Sequence, residues 1–234
     1  MKLEICANSY QSALNAEQAG AHRIELCSEL NSGGITPSYG LIQKVTSELS
    51  IETFVLIRPR SGNFVYSEAE FDIMKQDIVK CKSLGVNGIV SGVLMKDNTI
   101  DIERTKELIS LAYPLPFTFH RAFDLVTNPT ESIQQLIDLK ADRVLTSGQK
   151  NKVLDGIMLL IDLKEKFSNQ IIILPGSGIN SNNVGDFKKA GFTEVHASAS
   201  VTIEESTALN FDEISQTVSD SEEITRILNV IQNF

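Results

Sequence analysis

The chain has 234 residues, 42% of them hydrophobic, with a formal net charge of -9. That length and apolar content suffice for a sizeable core, while the acidic balance excludes a general nucleic-acid surface, because counterion release needs clustered Lys and Arg. No apolar stretch approaches the ~18 residues of a membrane span, and "MKLEICANSY" enters a strand-like run without a secretion-signal pattern, so no membrane partner and a cytoplasmic location are expected.

Short apolar runs bounded by turn residues then alternate with helix-period segments along the chain. The first is "LEICA" (3–7), which carries Glu4 and Cys6; the second is "RIELC" (23–27), which carries Glu25 and Cys27. "TFVLIRPR" (53–60) follows and ends in two arginines around a proline. A residue before proline is held extended, so Arg58 and Arg60 are expected to point the same way. Next comes a helical segment with Phe71, Met74, Ile78 and Cys81 on one face, preceded by the capping-box pair Ser67 and Glu70. Strand-like runs resume with "GIVSG" (88–92), "FTFHRA" (117–122), "RVLTSG" (143–148), "IIILPGSG" (171–178) and "EVHAS" (194–198). Eight strand-then-helix units predict an α/β fold of the (β/α)8 TIM-barrel type, with an open doubly wound sheet as the alternative.

Internal repetition supports the barrel. "AGAHRIELCS", "LGVNGIVSGV", "LKADRVLTSG" and "AGFTEVHASA" each lead from a helix end into an even-numbered strand, and three of the four carry Gly (Gly20, Gly85, Gly191) where a left-handed cap is wanted. No linker-like composition divides residues 1–234, so a single barrel domain is expected. The acidic, aperiodic stretch 199–219 is read as a lid or subunit contact, ahead of a last amphipathic helix with Ile224, Ile227, Leu228 and Ile231.

In a barrel, residues two apart along a strand share a face, and alternate strands fill common layers. This places Glu25, Val90, Leu145 and His196 in one interior layer and Cys27, Gly92, Ser147 and Ser198 in the next, towards the mouth. Burying Phe117 and Phe119 outward turns Thr118 and His120 inward. The mouth is therefore expected to gather Glu4, Glu25, Arg58, Arg60, His120 and His196. One reading is an internal plug in which Glu4 and Glu25 neutralise Arg58 and Arg60. The other is a site for a small anionic ligand, with His120 as general acid or base and Glu25 or Glu4 as its partner. "PGSGI" after the seventh strand (Gly176, Ser177, Gly178), Ser198 after the eighth and Ser147 after the sixth then form a phosphate-type rim. Cys6 and Cys27 are either core residues or a soft thiolate pair that, with a nearby His, suits Cu(I) or zinc.

"GAHRIELCSELNSGGITPSYG", "LIRPRSGNFVYSEAEFDIMKQDI", "GVNGIVSGVL", "FTFHRAFD" and "LTSG", together with the "PGSGI" turn, resemble the CutC family of copper homeostasis proteins. The resemblance runs from the first strand to the eighth. It implies a cytoplasmic (β/α)8 barrel, a homodimer or higher homo-oligomer, and Cu(I) binding through Cys6 and Cys27. Three functions stay open at this point: a copper-binding homeostasis factor, an enzyme acting on a small phosphorylated or carboxylated molecule, and a purely structural barrel.

Overall fold

The computed structural model describes residues 1–167, 169–203 and 216–233. All eight expected strands form, in the expected order: β1 (Lys2–Ala7), β2 (Arg23–Leu26), β3 (Glu52–Leu56), β4 (Gly88–Ser91), β5 (Phe117–Phe119), β6 (Arg143–Thr146), β7 (Ile172–Pro175) and β8 (Glu194–Ala197). They make one parallel sheet in the order β7-β6-β5-β4-β3-β2-β1-β8, and β7 lies beside β8, so the sheet curls into a nearly closed barrel. The architecture is the (β/α)8 barrel, with helices α1 (Tyr10–Gln18), α2 (Tyr39–Glu48), α3 (Glu68–Ser83), α4 (Ile102–Ala112), α5 (Pro129–Asp138), α6 (Ile157–Phe167), α7 (Val184–Lys189) and α8 (Ser221–Asn233) packed outside.

The fourfold repetition has a hydrogen-bonding basis. Before each even strand the helix ends in a paired-bond cap: Ala21 N–H donates to Ala16, Val86 to Cys81, Ala141 to Leu136 and Phe192 to Phe187. The residue before each donor has positive φ, 86° at Gly20, 75° at Gly85, 65° at Lys140 and 78° at Gly191. Lys140 is the one non-glycine among these four, and it carries the side-chain clash that the others avoid. Lys140→Gly is therefore expected to stabilise the protein by about 0.5–1 kcal/mol, read from the urea midpoint at unchanged m value.

Apolar side chains separate into two bodies. The larger lies between strands and helices; the smaller comprises Cys6, Cys27, Phe54, Leu56 and Val90 inside the barrel. Gly88 makes room for the second, because a Cβ there would run into the Phe54 ring. Gly88→Ala is expected to cost ~2 kcal/mol by overpacking; a thermal midpoint equal to the parent's would show that the ring moves aside freely.

Beneath that cluster sits a polar layer that the sequence reading missed. Arg23 pairs with both Glu4 and Glu194, Arg143 donates to Thr118 Oγ1 at 3.0 Å, and both guanidiniums stack on Phe54, 4.8 and 4.2 Å from its centroid. Two arginines thus face two glutamates among fully desolvated groups. A plug exists, but its partners are not those expected: Glu4 is committed to Arg23 and His196, while Arg58 and Arg60 lie elsewhere.

The stretch 199–219 also differs from expectation. Its described ends form an antiparallel ribbon of β9 (Ser200–Thr202) and β10 (Thr217–Ser219). Asn8 and Asn15 donate to carbonyls of β10, and Ser219 N–H donates to Ser12 Oγ, which anchors the ribbon to α1. The expected lid or subunit contact falls largely on 204–215, outside the described residues.

Candidate functional site

At the C-terminal ends of the strands, where barrel active sites lie, a cavity of about 260 Å³ opens. The strands contribute Cys6, Glu25, Leu56, Leu145 and His196 to its walls. The loops that follow add Arg58, Phe64, His120, Arg121, Ser177, Gly178 and Ser198. Most of the expected mouth residues therefore do converge.

Four of the expected residues are placed otherwise, each for a local reason. The Arg60 Nε donates to Glu70 Oε1 at 2.5 Å, and its other nitrogens reach the carbonyls of Ser61, Asn63 and Val65. Glu70 accepts the Ser67 N–H through its other oxygen, so the capping box that starts α3 also draws Arg60 away from the mouth. Arg58 and Arg60 do not point the same way. Ser147 is held by Asp124, which accepts from both its backbone N–H and its hydroxyl, and it stands outside the lining. The Gly176 N–H is spent on the Thr146 carbonyl. Glu4 lies one layer below the cavity, in the plug. No helix starts directly behind the "PGSG" turn either: α7 begins at Val184 and has six residues.

His196 links the plug to the cavity. Its Nδ1 lies 2.7 Å from Glu4 Oε1, which leaves Nε2 for the Cys6 thiol. Burial opposes charge on both partners. Their mutual hydrogen bond and the nearby Arg23 nevertheless hold the Glu4 carboxyl down to about 2, while bonds to Cys6 and Glu4 keep the imidazole protonated well above its usual range. The Cys6 Sγ lies 3.6 Å from Cys27 Sγ and 3.8 Å from Glu25 Oε1. Its bond to Cys27 and its burial raise the Cys6 thiol. Cys6, Glu25 and His196 offer ligand atoms that all lie within 4.8 Å of one another. Cys81, in contrast, packs in the outer core on α3, and burial pushes it up to about 12.

His120 has a chemistry that the sequence does not reveal. The Ala122 N–H donates to its Nδ1 at 3.3 Å, so the proton of the neutral ring sits on Nε2. Burial, and then the charge of Arg58, push its pKa down to about 3. The expected general acid or base is here a neutral N–H donor, and neither expected carboxylate partner is bonded to it: Glu4 serves His196, and Glu25 accepts from Cys6. Among the described residues, buried side-chain polar atoms without a partner include His120 Nε2, Glu25 Oε2 and Arg58 Nε, all three on cavity-lining side chains. Each such atom costs about 1–3 kcal/mol of desolvation, which is unusual to find three times in one place.

Arg121 is a charged lining residue that sequence reasoning passed over, as it did the apolar Leu30, Leu56 and Phe64. Its Nε donates to Asp124 at 2.8 Å, and Asp124 also accepts from Thr146 Oγ1 and Gln149 N–H. The spacing of Arg121 and Asp124 was visible; the fixing of Asp124 by the loop after β6 was not.

The sequence profile of the CutC family matches residues 1–201. The chain belongs to the CutC family. The human "Copper homeostasis protein cutC homolog" is 45% identical over 201 residues, covering 86% of this chain and 74% of its own length. A "family protein CutC" of Parabacteroides distasonis is 47% identical, covering 84% and 82%. Among solved structures, the "Putative Copper Homeostasis Protein CutC" of Streptococcus agalactiae superposes with a TM-score of 0.81 at 34% identity, covering 85% of this chain and 98% of that one. The CutC match includes every lining residue of the cavity, and it ends before β10 and α8.

Proposed function

We propose that this CutC protein takes part in copper homeostasis by binding Cu(I) at Cys6, Cys27 and His196, on the floor of the barrel mouth. The observation that carries the reading is the 3.6 Å approach of two free thiols on neighbouring strands, with His196 beside one of them, Cys6. Two sulfurs and one imidazole suit soft Cu(I) better than hard cations. Glu4 on Nδ1 of His196 supports it further, since metal-binding histidines are commonly oriented by a carboxylate on the far nitrogen; His196 would bind through Nε2 by giving up the proton it holds in the metal-free protein. Thiols that serve as Cu(I) ligands must stay reduced, so the reading goes with the expected cytoplasmic location. Family membership supports the expectation of a homo-oligomer, which sedimentation velocity measures directly.

The test is competition for Cu(I) between reduced, anaerobic protein and a chromophoric chelator. Replacing both Cys6 and Cys27 by Ser is expected to weaken binding about 100-fold or more, and His196→Gln about tenfold. Cys81→Ala is expected to lower the melting temperature and leave the affinity alone. A double variant that holds Cu(I) as tightly as the parent would remove these thiols as the site.

A further inference from the structure

Arg58 is 5% exposed, and among the described residues no carboxylate pairs with it. Its Nη atoms donate to three neutral carbonyls, those of Ser32, Gly34 and Gly62. These bonds, and the neighbouring buried hydroxyl of Tyr66, fix the guanidinium without neutralising it, and Nε meets no anion. A buried cation in this state calls for an anion. His120, 4% exposed, stands beside it: both pack on the Phe64 ring, the guanidinium 4.9 Å and the imidazole 4.8 Å from its centroid. The unpartnered Nε2–H of His120 is a second donor on the same wall. Glu25, also 4% exposed, adds an oxygen, Oε2, that meets no protein donor. Arg121, half-exposed, lines the same cavity with a second guanidinium.

We propose that the cavity is a binding site for a small organic anion bearing a hydroxyl group, its anionic end held among the Arg58 and Arg121 guanidiniums and the His120 imidazole and its hydroxyl towards Glu25. The volume, about 260 Å³, suits a compound of a few carbons rather than a nucleotide. The site shares the cavity with the copper reading but uses other side chains: neither thiol nor His196 takes part. It is a substrate or effector site on the same protein face, and the carboxylate and phosphate forms of the anion share the chemistry that recognises them.

Metal-free, reduced full-length protein, kept in chelator, is titrated with glycerate and with glycerol phosphate as the two anionic arms and glycerol as the neutral one. Binding is read by thermal shift and by calorimetry. One or both anions are expected to raise the melting temperature with saturation, and glycerol is not; the arm that binds identifies the head group. Arg58 also holds the loop carbonyls, so the decisive variants are at His120. His120→Asn keeps an acceptor for Ala122 N–H and deletes the Nε2 donor, and it is expected to weaken the anion about tenfold. His120→Gln places an amide near Nε2 and is expected to retain more of the affinity. Failure of both anions to shift the parent, or equal affinity in the parent and the Asn variant, overturns the proposal. Loss of Cu(I) binding in the Cys6 and Cys27 variants leaves it standing.

Discussion

Arg23→Met is expected to destabilise the protein by about 3–5 kcal/mol, the largest effect of any single substitution considered. The side chain is 1% exposed and pairs with Glu4 and Glu194 at the base of the barrel. Removing it strands two carboxylates in a layer that water does not reach, and Glu4 keeps only His196. Chemical denaturation at pH 7 measures the loss. Adding Glu194→Gln to Arg23→Met is expected to recover part of it, because the second stranded charge is then gone. A single-variant loss below about 1 kcal/mol would mean that solvent reaches the layer after all. The same experiment separates plug from site: Arg23 is tied to two carboxylates and its loss is read in stability, whereas Arg58 above it has no carboxylate partner among the described residues.

The second large effect is a pH dependence in which two cavity groups oppose each other. Burial pushes the Glu25 carboxyl up to about 7, from an ordinary value near 4.5. Between those values the folded chain holds that proton more tightly than the unfolded chain, so this group makes stability rise as pH falls from 7 towards 4.5. His120 has the reverse sign. Its folded pKa of about 3 lies below the ordinary 6.5, so the unfolded chain takes up the proton first and stability falls as pH drops from 6.5 towards 3. Over the shared window, from 6.5 to 4.5, the two slopes offset, each worth about 2 kcal/mol. The parent is therefore expected to show nearly level stability there and a steep fall below it, where Glu4, held down to about 2, joins His120 in losing stability. His120→Asn unmasks the Glu25 slope and gains stability on acidification; Glu25→Gln unmasks the His120 slope and loses it. Urea midpoints at four pH values suffice, and two variants with parallel profiles would show that neither group titrates as its surroundings dictate.

Periodicity and turn chemistry made most of the fold legible. The eight strands, the outer helices, the capping box at Ser67 and Glu70, and the apolar stripe of α8 all follow from local patterns, since one side of each element must be buried and the residue types say which. The left-handed helix ends before the even strands were equally visible, apart from Lys140, whose side chain gives no hint of positive φ. At the site, the sequence put Glu25, Arg58, His120, His196, Ser177, Gly178 and Ser198 at one mouth, because strand alternation and the barrel rule are enough to sort residues by face.

Partnership is what the sequence left undecided. Arg60 goes to Glu70 and not to the mouth, Glu4 goes to Arg23 and not to an arginine of the third loop, and the histidine with a carboxylate is His196, not His120. Each of these choices depends on distances of a few ångströms between residues up to 192 positions apart, set by the stagger of the strands and the course of single loops. Alternation along a strand fixes the side on which a group emerges. Only the closed barrel fixes its height and neighbours, and with them its charge: of two buried histidines in one cavity, Cys6 and Glu4 keep His196 protonated against its burial, while burial and then the field of Arg58 keep His120 neutral.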